Sequence, residues 1–451
     1  AVIAFDLNYD GLSDLVLGCG SRNLNQTSDG PHHMHPNIAL IQTQDGQFRQ
    51  LLRRDWDSDG GLLLDAVALT HAIGAADVDF DGLLDLMGSD EAFFSPRTST
   101  YIGDAGGVYR RCHPNQSCQF EPIRLGSGLA SYGAYMGSGL LQVENYGELL
   151  YYTNLGPNRL IEVDSGFGYD TAFGANAAID SFGTELVFSW GVAIDDYNRD
   201  GRDDIFVSNG SLFFRDQAQM DAYYDTLLIQ QPDGSFSIHS EDVGITPFNT
   251  TDSRSEERRY SSRATLKTDW DYDGFIDLLT VGLEGVPRLH REVPTQRPEP
   301  PRCTLVPVNR YVPSFGFGYS IVSDQDNRPR RWDSQGQHRS SASPFVMTPW
   351  PTGTLRFPSG AEVRYDCQNQ AGPFVIHEPE WLKLETSDSV LSLTISEGAP
   401  LGEPSVYSEP SRQIVNMERI DDDNWSARLP VGSQRYMIRF GSRWLARWFE
   451  L

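Results

Sequence analysis

The sequence predicts an all-β fold, and three observations carry that prediction. Apolar runs are short and rich in Val, Ile, Leu and aromatic residues, Gly, Pro, Asn and Asp punctuate them, and one nine-residue acidic pattern recurs four times with such runs on its flanks. Repetition at this scale is the mark of stacked or radially arranged sheets.

The four copies are Asp6-Leu7-Asn8-Tyr9-Asp10-Gly11-Leu12-Ser13-Asp14, Asp77-Val78-Asp79-Phe80-Asp81-Gly82-Leu83-Leu84-Asp85, the segment from Asp196 to Asp204, and the segment from Asp269 to Asp277. In each, oxygen-bearing side chains fall at offsets 0, 2, 4 and 8 and glycine at offset 5. Alternate spacing turns three side chains toward one centre, glycine permits a sharp turn, and the last Asp closes the shell around a hard cation. The pattern therefore predicts four structural Ca²⁺ sites. Their ligands are Asp6, Asn8, Asp10 and Asp14; Asp77, Asp79, Asp81 and Asp85; Asp196, Asn198, Asp200 and Asp204; and Asp269, Asp271, Asp273 and Asp277. Backbone carbonyls come from the offset-6 residues Leu12, Leu83, Arg202 and Phe275. The flanking runs Leu15-Val16-Leu17, Leu86-Met87, Ile205-Phe206-Val207 and Leu278-Leu279-Thr280-Val281 read as strands, so each site sits in a hairpin rather than between helices.

A second element recurs between the loops, a polar turn followed by a strand: Pro36 to Leu40 running to Asp45-Gly46-Gln47-Phe48, Asn158 to Ile161, and Leu227 to Ile229 running to Asp233-Gly234-Ser235-Phe236. A fifth unit aligns from Met136 through Gln142, Glu144, Tyr146, Gly147 and Leu150 without the acids. Asp55 to Gly60 has Leu63 in place of the closing Asp and reads as a solvated turn. Sheets of this length with one calcium hairpin each predict a β-propeller, with a linear β-solenoid as the competing geometry. Only Phe214 to Leu228 has helical character.

These hairpins resemble FG-GAP/VCBS repeats, the calcium-binding blades of integrin-α-like propellers. The resemblance extends through Ser189-Trp190-Gly191-Val192-Ala193, Val207-Ser208-Asn209-Gly210 and Val243-Gly244-Ile245 to propellers that precede an ASPIC/UnbV domain, as in the cartilage acidic protein-like family and its bacterial relatives. Asn309-Arg310, Phe315 to Val322, Phe357-Pro358-Ser359-Gly360, Asn369 and Glu378-Pro379 resemble that domain's signature, although Gly318-Tyr319-Ser320 stands where the family has Gly-Ala-Arg. The resemblance implies a propeller over 1–298, an ASPIC/UnbV-like β domain over 299–385 and, by alternation of Leu391, Leu393 and Ile395, of Trp425, Ala427 and Leu429, of Tyr436, Ile438 and Phe440, and of Trp444, Ala446 and Trp448, a small β-sandwich over 386–451. The proline-dense stretch Pro294 to Arg302 reads as the linker, and His377-Glu378-Pro379-Glu380 as a strand-end turn. Five units are readable where the resemblance implies seven blades; either some blades lack the signature or upstream sequence is missing, and the start at a strand favours the second expectation.

The 451 residues carry a formal net charge of -26, which excludes nucleic acid and anionic membranes as partners. Fourteen carboxylates belong to the four predicted sites, and four Ca²⁺ bring the charge to about -18. Arginine outnumbers lysine, of which there are only Lys267 and Lys383, a skew that fits a GC-rich bacterial genome. The five cysteines form no CxxC, so disulfides are expected: Cys112 with Cys118, Cys303 with Cys367, and Cys19 left over. No apolar run is long enough to span a bilayer, and no basic start followed by an apolar core stands at residue 1, so a signal peptide, if one existed, is expected to have been removed already. His32-His33-Met34-His35 invites copper or zinc, but adjacent histidines in a loop diverge, and a solvated loop is the plainer reading. HExxH, GxSxG and GxxxxGK are absent. Arg199-Asp200-Gly201 commits its Asp to calcium. The sequence thus points to a secreted or periplasmic, calcium-stabilised, non-catalytic scaffold that binds a protein or glycan. The alternatives are an enzyme using the propeller channel, with Tyr132, Tyr135, His71 and Trp190 as candidates, and an accessory subunit of a larger surface assembly.

Overall fold

The computed structural model describes residues 1–18, 37–51, 69–78, 81–91, 93–95, 100–102, 107–112, 120–123, 135–154, 158–164, 167–170, 189–210, 225–240, 245, 261–271, 275–282, 287–292, 303–311, 319–324, 329–332, 346–348, 350–367, 373–387, 390–396, 403–409, 413–430, 433–440, 443–445 and 449–450. The histidine run at 32–35, Cys19, Cys118, Asp55 to Gly60, Asp79, Tyr132, Asp273 and the linker at 294–302 lie outside them. Among the described residues the chain is all β, with no helix.

Five antiparallel meanders follow one another. The first is Val2–Phe5, Asp14–Leu17, Ile38–Gln42 and Phe48–Gln50, bonded in that order. The second is Leu69–Ala76, Asp85–Glu91, Gly107–Arg111 and Phe120–Ile123, with the hairpin Phe93–Ser95/Thr100–Ile102 inserted after its second strand. The third is Tyr135–Val143, Gly147–Asn154, Arg159–Asp164 and Phe167–Asp170, and the fourth is Ser189–Asp195, Asp204–Asn209, Thr226–Gln230 and Phe236–Ile238. The fifth has three strands, Ser262–Thr268, Asp277–Gly282 and Arg288–His290. Each acidic segment joins the first and second strands of its sheet. In the third sheet the acid-free turn does so, with Asn145 and Gly147 at positive φ.

The first strands of successive sheets pack side by side, from Val2–Phe5 through Leu69–Ala76, Tyr135–Val143 and Ser189–Asp195 to Ser262–Thr268. Such strands are covered on both faces, which is why Ser189–Asp195 is buried along its whole length and reads as a nearly unbroken apolar run. Each neighbouring pair of sheets has its own core. Ile3, Val16, Ile73 and Leu86 lie between the first two, and Met87, Val108, Tyr135 and Leu150 between the second and third. Leu141, Tyr151, Val192 and Ile205 fill the next gap, and Ala193, Phe206 and Leu278 the last. Alternation decides the assignment: Val192 and Ile194 face backward along the series and Ala193 forward.

Among the described residues after His290, four further sheets form. Val346–Thr348, Cys303–Val308 and Pro373–His377 make a mixed sheet whose last pair is parallel. Pro329–Trp332, Tyr319–Ser323, Thr352–Arg356 and Glu362–Asp366 make an antiparallel one. The third runs Leu382–Ser387, Val390–Ile395, Asn424–Arg428, Glu418–Arg419, and the fourth runs Gln413–Asn416, Pro404–Glu409, Arg435–Phe440, Arg443–Trp444, with Phe449–Glu450 also paired to Arg435–Phe440.

Two local readings change. Thr226–Gln230 is a buried strand, so the end of the helical stretch expected over Phe214 to Leu228 is β; its apolar residues pair with Asp204–Asn209, and that pairing overrides helical propensity. Pro404–Glu409, a strand not expected from alternation, is buried on both faces between two partners.

Cys303 and Cys367 form a disulfide that closes a 64-residue separation, and Cys112 is disulfide-bonded as well. Replacing Cys303 and Cys367 together by Ser is expected to lower stability by about 2–4 kcal/mol, measured as the urea midpoint of the fluorescence transition.

Candidate metal sites

The acidic loops repeat one hydrogen-bond network. The closing Asp is fully buried in all four. One of its oxygens accepts the backbone N–H of the offset-1 residue: Leu7 to Asp14 at 2.9 Å, Val78 to Asp85 at 2.7 Å, Tyr197 to Asp204 at 2.8 Å and Trp270 to Asp277 at 3.0 Å. The other accepts an N–H from beyond the hairpin, at the end of or just after the third strand: Gln42 at 2.8 Å, Arg111 at 2.7 Å, Gln230 at 2.9 Å and Glu292 at 3.1 Å. At the start of the loop, Asp6 accepts from Asp10 and Gly11, and Asp196 accepts from Asp200 and Gly201. The offset-4 carboxylates of Asp10, Asp81 and Asp200 take the N–H two residues on. Gly11, Gly82 and Gly201 have φ of 87°, 89° and 92°, and Tyr9 and Arg199 at offset 3 also turn left-handed at 62°. An open left-handed turn of this kind is where glycine is required.

The residues that back the closing Asp lie outside the sequence pattern; the side chains of Arg111, Gln230 and Glu292 reach neighbouring loops, and that of Gln42 accepts the Ser13 N–H of its own loop at 3.2 Å. The Arg111 guanidinium lies 4.7 Å over the ring of Tyr9, in the first loop. Gln230 accepts the N–H of Glu144 at 2.7 Å and donates to the carbonyls of Gln142 and Asp203. Glu292 accepts from Ile276 N–H at 2.9 Å and pairs with Arg199 of the third loop at 3.4 Å. The sequence holds one signal for them: Gln42 and Gln230 each stand three residues before an Asp-Gly turn.

The first and closing carboxylates of the loops are buried, whereas Asp10, Asp200 and Asp271 are exposed. Burial pushes Asp6 and Asp204 up to about 8 and Asp14 up to about 6, and neighbouring carboxylates, Asp10 and Asp14 for the first, add to the rise. In the fourth loop, ligand oxygens of Asp269, Asp271 and Asp277 lie within 4.8 Å of one another. Two oxygens bound to one Ca²⁺ at 2.3–2.6 Å can be no more than about 5 Å apart, so the donor set fits that ion. The structure describes both complete sets of the first and third loops and all but Asp79 and Asp273 of the others. The outer carboxylates Asp200 and Asp271 pair with Arg202 and Arg291.

Of the enzyme candidates, His71, Tyr135 and Trp190 lie at the other ends of the first strands, where the registers shift at Thr70/Ala72, Tyr135/Gly137, Ser189/Val192 and Ser262/Ala264. Trp190 donates its indole N–H to the Gly210 carbonyl at 2.9 Å beneath the Arg263 guanidinium, 3.9 Å from its ring. Tyr135 is buried and stacked on Tyr152 at 4.6 Å, while His71 is half-buried. Beside Trp190, buried Asp225 accepts from Asn209 N–H and the Ser262 hydroxyl; burial raises it to about 6, opposed by Arg288. Glu378 of the signature in the following sheets is buried, accepts the N–H groups of Arg310 at 2.6 Å and Tyr311 at 3.1 Å, and bonds the Ser359 hydroxyl. Gly360, at φ 91°, closes that turn.

No family model matches the chain, and no curated protein does. Among solved structures, the GH32 beta-fructofuranosidase BmSUC1 of Bombyx mori is similar at 10% identity and a TM-score of 0.30, over 98% of this chain and 91% of that one. A mutant of the same enzyme in complex with sucrose gives a TM-score of 0.29 at 10% identity, over 99% and 91%. A likeness at this level carries no argument about function.

Two outcomes follow from the geometry. Asp204→Ala strips the acceptor from the N–H groups of Tyr197 and Gln230 and is expected to cost about 3 kcal/mol, more than Asp204→Asn, in chemical denaturation. Asp225 titrates higher in the fold than in the unfolded chain, so the native state holds the proton better; its contribution is full below about pH 4 and is lost as pH rises through about 6. The fall in urea midpoint between those values is expected to be smaller in Asp225→Asn than in the wild type.

Proposed function

We propose that the chain is a calcium-stabilised β-propeller scaffold with two following β domains, acting outside the cytoplasm by binding a protein or glycan. The observation that carries the reading is the closing-Asp network repeated in four loops, with the closing Asp buried in each and a left-handed glycine at Gly11, Gly82 and Gly201. Burial this deep leaves carboxylates protonated or paired with a cation, and all-oxygen donor sets suit Ca²⁺ better than zinc or copper. Meanders whose first strands pack in series, each pair of sheets enclosing its own core, support radial packing as blades.

The ion's role in this reading is structural. It offsets repulsion among the inward oxygens and fixes each hairpin, leaving blade edges and connecting loops as the binding surface. The Cys303–Cys367 disulfide and a calcium requirement both suit an oxidising, calcium-rich compartment, extracellular or periplasmic. The net charge of -26 disfavours nucleic acid as a partner. The channel-enzyme alternative draws on Trp190 and Tyr135, whose contacts here serve packing. No helix among the described residues is long and apolar enough to cross a membrane.

Calorimetric titration of chelator-stripped protein is expected to yield about four Ca²⁺ bound per chain. Chelator is expected to lower the melting temperature by on the order of 10 °C or more. A melting curve indifferent to chelator overturns the reading.

A further inference from the structure

The four loops do more than hold their own sheets. A single core cluster joins Tyr9 of the first loop, Leu83 of the second and Ile276 of the fourth to Leu305, Trp350, Trp381 and other residues of the C-terminal sheets, with Tyr197 of the third loop packed against it. Polar contacts cross at the same place. The Trp444 backbone N–H donates to the Asp81 carbonyl at 2.7 Å, and the Thr304 hydroxyl donates to Asp269 Oδ2 at 2.9 Å.

Thr304 is the informative residue. It and Asp269 are both buried, so their bond forms out of water, where its direction matters most. It belongs to Cys303–Val308, the central strand of its sheet, held by Val346–Thr348 on one side, Pro373–His377 on the other, and the disulfide at Cys303. Asp269 is the first carboxylate of the loop whose oxygens gather within 4.8 Å. A hydroxyl that donates to one carboxylate oxygen fixes that carboxylate's rotamer and aims its lone pairs.

We infer that the fourth cation site is composite: Thr304, supplied by the C-terminal half of the chain, positions Asp269 for Ca²⁺, so that occupancy of the site and seating of the Cys303–Val308 strand stabilise each other. The inference rests on the calcium reading above and extends it from four independent sites to one that is coupled across the chain. Coupling of this kind is reciprocal, so whatever affinity Thr304 adds, calcium returns as stability of the strand.

The test is Thr304→Val, which keeps the shape and removes the donor, with Thr304→Ser restoring it. The probe is Ca²⁺ alone, titrated into chelator-stripped full-length protein, with hydrogen exchange of the Cys303–Val308 amides measured with and without the ion. In the wild type, Ca²⁺ is expected to slow that exchange. In Thr304→Val, one of the sites is expected to weaken about tenfold or more and the calcium-dependent protection to shrink, with Thr304→Ser recovering both. Wild-type affinities at every site in Thr304→Val, alongside normal wild-type uptake, overturn the composite site and leave the calcium reading standing. No uptake by the wild type overturns both.

Discussion

Four of the first five sheets depend on one interaction, the buried carboxylate at the end of the acidic loop. Asp14, Asp85, Asp204 and Asp277 each hold the turn with one oxygen and the end of the third strand, or the residues just after it, with the other. A hairpin alone is marginal in water, and these bonds fasten it to a third strand before any side chain packs. The third sheet has no such carboxylate. It makes its turn with positive φ at Asn145 and Gly147, and Gln230 of the next sheet takes up the Glu144 N–H. The acid is therefore a means of anchoring the turn, and a neighbour's side chain can replace it.

That substitution exposes a second regularity. In three of the four loops, the residue that donates its N–H to the closing carboxylate also meets another unit's loop through its side chain, whereas Gln42 accepts the Ser13 N–H of its own loop. Arg111 covers Tyr9, Gln230 clasps the turn of the third sheet, and Glu292 takes Arg199. One position in the repeat thus does two things, backing its own loop and binding its neighbour's. Successive sheets are joined at their loop ends as well as through their cores, and a disturbance in one loop has a short path to the next.

How much of this is legible in the sequence follows from distance along the chain. The ligand spacing, the glycine and the flanking strands are local, and the sequence exposes them directly: Gly11, Gly82 and Gly201 take the positive φ that the pattern requires. The partner of each closing Asp lies 15 to 28 residues away, and only Gln42 and Gln230 leave a trace before an Asp-Gly turn. Glu378 reads in the sequence as part of a strand-end turn because its partners Arg310 and Tyr311 lie 68 and 67 residues upstream. Pro404–Glu409 escapes for another reason. A strand buried on both faces does not alternate, and its serines and leading proline mask the apolar content.

The acidic loops also raise a question of charge that arginine answers only in part. Arg202 and Arg291 meet Asp200 and Asp271, the outer members of their loops, where the side chains still touch solvent. A guanidinium is a flat fork, able to satisfy two oxygens in its own plane. Asp269, Asp271 and Asp277 come from the start, the second and the last ligand positions of a turning loop, so their oxygens converge from different directions. Under the calcium proposal, a small spherical cation with six to eight flexible contacts suits that convergence better than a planar one. Arginine thus reaches the outer carboxylates Asp200 and Asp271, while burial pushes the inner Asp6 and Asp204 toward protonation.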